Sequence, residues 1–184
     1  MFKPTDPLCK AAVEDMFPSD ETQREILQTD ARFERLSELG RGSFSIVFKA
    51  KDHKMECDVA IKAVQLPSDE YLKSRLLREV DILKDLEHPG VIRMLESIDS
   101  LMPAVLHVVM ELLPGDTLRH LLDTRGAMGE AETVPMARQL LGTLEYLHCV
   151  AHIVHRDLKP ENIMCAPRLH RSPLPALSPP CRVL

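Results

Sequence analysis

The chain has 184 residues, 45% of them hydrophobic, and 23 Lys and Arg against 28 Asp and Glu leave a formal net charge of −5. That length suits one domain or part of a larger one; the negative balance argues against a general nucleic-acid surface, and 4% aromatics with no Trp argue against a base-stacking platform. No apolar run approaches the ~20 residues needed to span a bilayer, and the five scattered cysteines (Cys9, Cys57, Cys149, Cys165, Cys181) have no metal-ligand spacing and read as free thiols in a reducing compartment. The expected location is therefore the cytoplasm, with the nucleus also open.

Residues 1–32 read as an N-terminal extension. Its "SDETQREIL" has the make-up of a short capped helix and equally of disorder, and it carries no chemistry. From Phe33 to Leu66 the pattern is strand-like: "FERLSELGRG", "SIVFKAKD" and "CDVAIKAVQL" are separated by polar turns, which predicts an antiparallel meander. Residues 69–87 predict a helix, with Leu72, Leu76, Val80, Leu83 and Leu86 on one stripe and His88-Pro89-Gly90 as the stop. Two strands follow, around "VIRMLES" and "VLHVVMEL", then a short helix "LRHLLDTR" capped by Asp116 or Thr117. A longer helix covers about 130–150, with Leu140, Leu144 and Leu147 on its buried face; Pro135 is tolerated there only if the first turn starts near it. Beyond Cys165 no helix or strand period survives, and five of the last 18 residues are Pro, so residues 166–184 read as a Pro-rich disordered tail.

Three stretches carry chemistry. Gly40 and Gly42 lie between two strand patterns. A dinucleotide-binding fingerprint needs a helix after its glycines, so a glycine-containing hairpin folded over phosphates fits better, with an ordinary turn as the plainer reading. Lys62 stands in the apolar run "VAIK", where a half-buried ammonium needs a partner. Glu79 on the following helix is the candidate, although it reads equally as a solvated helix acid. In "HRDLKPEN", Asp157 is placed to accept a hydroxyl proton, Lys159 to neutralise a transferring phosphoryl group, and Asn162 to offer a neutral oxygen to a divalent cation.

Taken in order, these motifs resemble the eukaryotic protein kinases over about residues 33–165. The match includes Gly40, Gly42 and Val47 of the glycine-rich loop, Lys62 of the third strand, Glu79 of the next helix and the catalytic loop from His155 to Asn162. "DLKPEN" is similar to the serine/threonine class. The resemblance implies an α+β fold with a complete small lobe and hinge over 33–113 and the first part of a helical large lobe over 114–165. It implies ATP and Mg²⁺ as cofactors and a protein substrate or regulatory protein as partner, with no nucleic acid and no membrane. It implies that Val47 and Ala60 cover adenine from above and Met164 from below. Met110 would be the gatekeeper, Glu111 to Leu113 the hinge, and Leu83 and His155 part of an apolar spine. Met110 and Met164 also suit plain core positions.

Two departures stand out. The third loop glycine is Ser45, and no "DFG" follows Asn162, since residues 163–184 hold no Asp or Glu. An Mg²⁺ site resting on Asn162 alone is incomplete. On these grounds the chain is expected to be a kinase interrupted after its catalytic loop and without turnover. A scaffold or nucleotide-binding regulator and an unstable product are the alternatives, the last because the leucines of the long helix would lack partners.

Overall fold

The computed structural model describes residues 32–41, 45–101, 104–166 and 181–183. They fall into two compact units. One holds the described residues up to Asp85 together with Met94–Leu112; the other holds Leu86–Arg93 and the described residues from Leu113 onward.

The first unit is an antiparallel sheet of β1 (Phe33–Arg41), β2 (Ser45–Asp52), β3 (Cys57–Gln65), β4 (Met94–Leu101) and β5 (Ala104–Glu111), in the order β1-β2-β3-β5-β4, with helix α1 (Glu70–Lys84). Alternation places Ile46, Phe48, Ala50, Val59, Ile61, Ala63, Val105 and Val109 in one core with Phe33. The β2–β3 turn is built by Asp52. Its carboxylate accepts the backbone N–H groups of Lys54 and Met55 at 2.8 and 3.1 Å, and Glu56 turns the chain with φ 54°. Arg32 grips the same carboxylate through two hydrogen bonds, at 3.1 and 2.8 Å, and reaches Glu96 of β4 at 2.6 Å. That pairing raises the Arg32 guanidinium and holds the Asp52 carboxyl below its usual range, chiefly through their mutual hydrogen bonds.

Helix α1 begins where Asp69 caps it, accepting the Leu72 N–H at 2.9 Å, and ends at Lys84. The expected stripe is only partly covered. Val80 is buried, Leu72 and Leu83 are exposed, and Leu86 belongs to the core of the other unit.

The second unit holds β6 (Asp116–Thr117), α2 (Leu118–Arg125), α3 (Glu130–Glu145), a π turn over Tyr146–Val150, a 3-10 turn over Pro160–Asn162, β7 (Ile163–Cys165) and β8 (Cys181–Val183). Thr117 caps α2, accepting the His120 N–H at 3.2 Å. Helix α3 starts at Glu130, so Pro135 lies in its second turn, not at its start as expected. Leu147 is buried with Leu118, Met136 and Ile163, and Leu140 and Leu144 pack against them.

The expectation of no strand after Cys165 is corrected at residues 181–183. They form β8 of a sheet ordered β6-β7-β8 and also exchange hydrogen bonds with the segment before β4: Val183 N–H to Gly90 C=O at 2.8 Å, and Ile92 N–H to Val183 C=O at 3.0 Å. The Gln139 side chain accepts the Cys181 N–H at 3.0 Å, and Cys181 and Val183 are buried. The Pro-rich stretch thus connects two paired strands. Residues 167–180, the helix reading within residues 1–31, and Gly42 lie outside the described residues.

Candidate active site

In the first unit, cross-strand register gathers four of the expected nucleotide-side residues, Val47, Ala60, Lys62 and Met110, on one sheet face. Gly40 stands opposite Val47, and Val47 opposite Lys62. Ala60 stands opposite Met110, and Val59 opposite Glu111. Directly opposed residues share a face, so Val47, Ala60, Lys62 and Met110 lie on the face away from the Phe48–Ile61 core. Gly40 sits at an irregularity of β1, and no atom of the described residues lies within 4 Å of where a Cβ would project. Ala60 and Met110 are buried, whereas Val47, Lys62 and Glu111 are half-buried. Glu79 is exposed on α1, and its Oε1 lies 3.5 Å from Arg75 Nε one turn earlier.

In the second unit, a tight loop gathers the polar residues of "HRDLKPEN". Arg156 has φ 64°, a left-handed conformation that turns the chain sharply before Asp157. The Asp157 N–H donates to the His155 carbonyl at 2.9 Å. Lys159 Nζ lies 2.8 Å from Asp157 Oδ2. Asn162 Nδ2 donates to both the backbone oxygen and Oδ2 of Asp157, each at 2.8 Å. The hydrogen bond from Lys159, helped by Asn162, holds the Asp157 carboxyl below its usual range. It is therefore ionised at neutral pH and remains an acceptor. With its NH₂ engaged by Asp157, the Asn162 amide keeps its carbonyl oxygen for another partner. Arg119 of α2 reaches Glu161 at 3.3 Å and ties the 3-10 turn to that helix. Met164 follows in β7, half-buried, and Leu113 opens the second of the two segments that make up this unit.

The protein kinase domain family matches residues 33–171. The chain belongs to the protein kinase family. It is 38% identical over 135 residues to myosin light chain kinase A of Dictyostelium discoideum, covering 72% of this chain and 44% of that protein. It is 33% identical over 170 residues to a serine/threonine-protein kinase of Schizosaccharomyces pombe, covering 89% of this chain and 36% of that protein. It is 34% identical over 142 residues to human calcium/calmodulin-dependent protein kinase type IV, covering 77% of this chain and 29% of that protein. The chain thus spans less than half the length of these curated relatives. In this kinase domain the five-stranded antiparallel sheet with α1 is the small lobe, and α2 and α3 are the first large-lobe helices.

Members of this family are expected to use ATP and Mg²⁺. Among the described residues no three His, Cys, Asp or Glu side chains cluster to hold a metal. The donor set fits one position of an Mg²⁺ shell, the Asn162 carbonyl oxygen, beside the Asp157 carboxylate. Sequence reasoning passed over Arg119 and the left-handed Arg156. The alternation of charges around Arg119 resembles any solvated helix face, and a backbone angle has no sequence signature at an arginine.

Proposed function

We propose that this chain carries the nucleotide-binding lobe and catalytic loop of a kinase that transfers the γ-phosphoryl group of ATP to Ser or Thr hydroxyls of proteins. The observation that carries this reading is the ionised Asp157 carboxylate, held by Lys159 and Asn162. A carboxylate kept ionised and fixed by two side chains can orient an incoming hydroxyl and take its proton as the phosphoryl group arrives. Lys159, 2.8 Å from that carboxylate, is placed to compensate charge on the transferred group. Bound Mg²⁺ would supply further charge compensation on the ATP phosphates, with Asn162 as one ligand. Val47, Ala60 and Met110 offer an apolar face suited to adenine, Glu111 to Leu113 the backbone groups that read its edge, and Lys62 a cation for the phosphates. Glu79 and Met164 keep the orienting and adenine-supporting roles that the family implies.

Strand β8 adds no Asp or Glu, so the Mg²⁺ site of this chain still rests on Asn162 alone and turnover by this chain on its own is not part of this proposal. The test is phosphate transfer from ATP to Ser/Thr in the full protein that contains this chain. Asp157→Asn should lower turnover by about 10²–10³-fold while ATP binding persists. Undiminished turnover in that variant would remove Asp157 from the mechanism.

A further inference from the structure

Cys165 and Cys181 face each other across the β7–β8 pair. They are direct register partners, 16 positions apart in sequence, with sulfur atoms 3.5 Å apart. Both are buried, at 5% and 3% exposure. Opposed residues of an antiparallel pair have Cα atoms about 4.5–5.5 Å apart, within the range of about 4.4–6.8 Å that a disulfide spans. The backbone on either side is already fixed: the Cys181 N–H is held by Gln139, Val183 is the register partner of Ile163, and the Val183 N–H and C=O bond to Gly90 and Ile92. Bond formation therefore needs rotation and approach of two side chains, with no change of strand register. Neither thiol has a role in the proposed phosphoryl transfer.

We propose that Cys165 and Cys181 form a reversible disulfide that locks β8 onto β7 directly after the catalytic loop, with a hydroperoxide as the oxidant class. One thiolate attacks a peroxide oxygen and the O–O bond breaks, giving a sulfenic acid and, after proton uptake, water. The second thiol then displaces the sulfenic oxygen as water and the S–S bond forms. In sum two thiols and one hydrogen peroxide give one disulfide and two waters; sulfur is oxidised and peroxide oxygen reduced. The hydrogen bond between the sulfurs assists the first step. It favours ionisation of Cys181, whereas that bond and burial hold Cys165 as the neutral thiol. Access comes from opening of the hairpin, which is only three residue pairs long.

The experiment exposes the reduced chain to hydrogen peroxide, caps remaining thiols by alkylation and maps tryptic peptides. Cleavage after Arg156, Arg168, Arg171 and Arg182 puts Cys149, Cys165 and Cys181 on three different peptides. The expected result is a single cross-link joining the Cys165 and Cys181 peptides, two hydrogens lighter than the thiols and reversed by dithiothreitol. The melting temperature should rise by about 5–10 °C on oxidation. Cys181→Ser and Cys165→Ser should each abolish both effects, and Cys149→Ser should change neither. The same treatment in denaturant is the control for an unfolded chain, in which pairings scatter among the cysteines. A scattered mixture in native buffer, both thiols still open to alkylation after peroxide, or a cross-link without a rise in melting temperature would each overturn the proposal.

Discussion

Two residues of the first unit carry most of its unusual chemistry. His107 of β5 is buried, neither ring nitrogen has a hydrogen-bond partner among the described residues, and its neighbours across β3 and β4 are Ala63 and Ile98. Burial lowers its pKa to about 4, so the ring stays neutral in the fold. The unfolded chain takes up that proton near pH 6.5 and the folded chain only near 4. Stability therefore falls as pH drops through this window, by about 3 kcal/mol in full. Urea unfolding at pH 7 and pH 4.5 should show the loss, and His107→Leu should largely remove it. Asp52 acts in the same sense by a different cause: its carboxylate serves Arg32 and two turn N–H groups at once, which holds it ionised, so its contribution too is lost as pH falls. Asp52→Ala should cost about 2–3 kcal/mol in denaturant melts, because it uncaps the turn and strips Arg32 of a buried partner. Neither residue is conspicuous in the sequence. His107 reads there as one polar residue in an apolar strand, and Asp52 as a turn acid, because part of their significance lies in contacts distant in sequence, Ala63 for His107 and Arg32 for Asp52.

At the scale of elements, patterns long enough to repeat were legible and short ones were not. The β1–β3 meander, α1, α2 and α3 follow from alternation, periodicity and capping. Strand β4 was expected around residues 91–97 but runs over Met94–Leu101, because Val91 and Ile92 are taken up by Val183. Strand β8 is three residues directly after two prolines, too short for a period; its faint signal is the apolar-polar-apolar order of Cys181, Arg182 and Val183. It nevertheless fills a place in the core of the second unit. A chain ending at residue 180 should lose roughly 3 kcal/mol in a denaturant melt from the exposure of Val183 and its core neighbours. Gly90 marks the same junction, since a Cβ there would collide with the Thr143 side chain. Gly90→Ala should destabilise by about 1–3 kcal/mol, and Thr143→Ala in the same chain should recover part of that loss. Glu79 is expected to face Lys62 from its place on α1, and within α1 the Arg75 guanidinium one turn earlier reaches its carboxylate at 3.5 Å, a contact the sequence reading did not name.

For the whole molecule, an ordered set of motifs named the family before any coordinate did, because each carries a different part of phosphoryl transfer. The sequence did not reveal that residues 181–183 return to the fold after the prolines; the expectation of an interrupted kinase came instead from the lack of an acidic residue after Asn162, and β8 adds none. The account now rests on a small-lobe face bearing Val47, Ala60, Lys62 and Met110, and on a catalytic loop whose Asp157 is held ionised. Thermal melting of this chain with increasing Mg-ATP tests it most directly. Ligand at a hundred times its dissociation constant should add about 2.7 kcal/mol of stability. The rise should saturate, survive Asp157→Asn and be lost in Lys62→Met. A melting temperature indifferent to ATP, or an equal rise in Lys62→Met, would contradict the account.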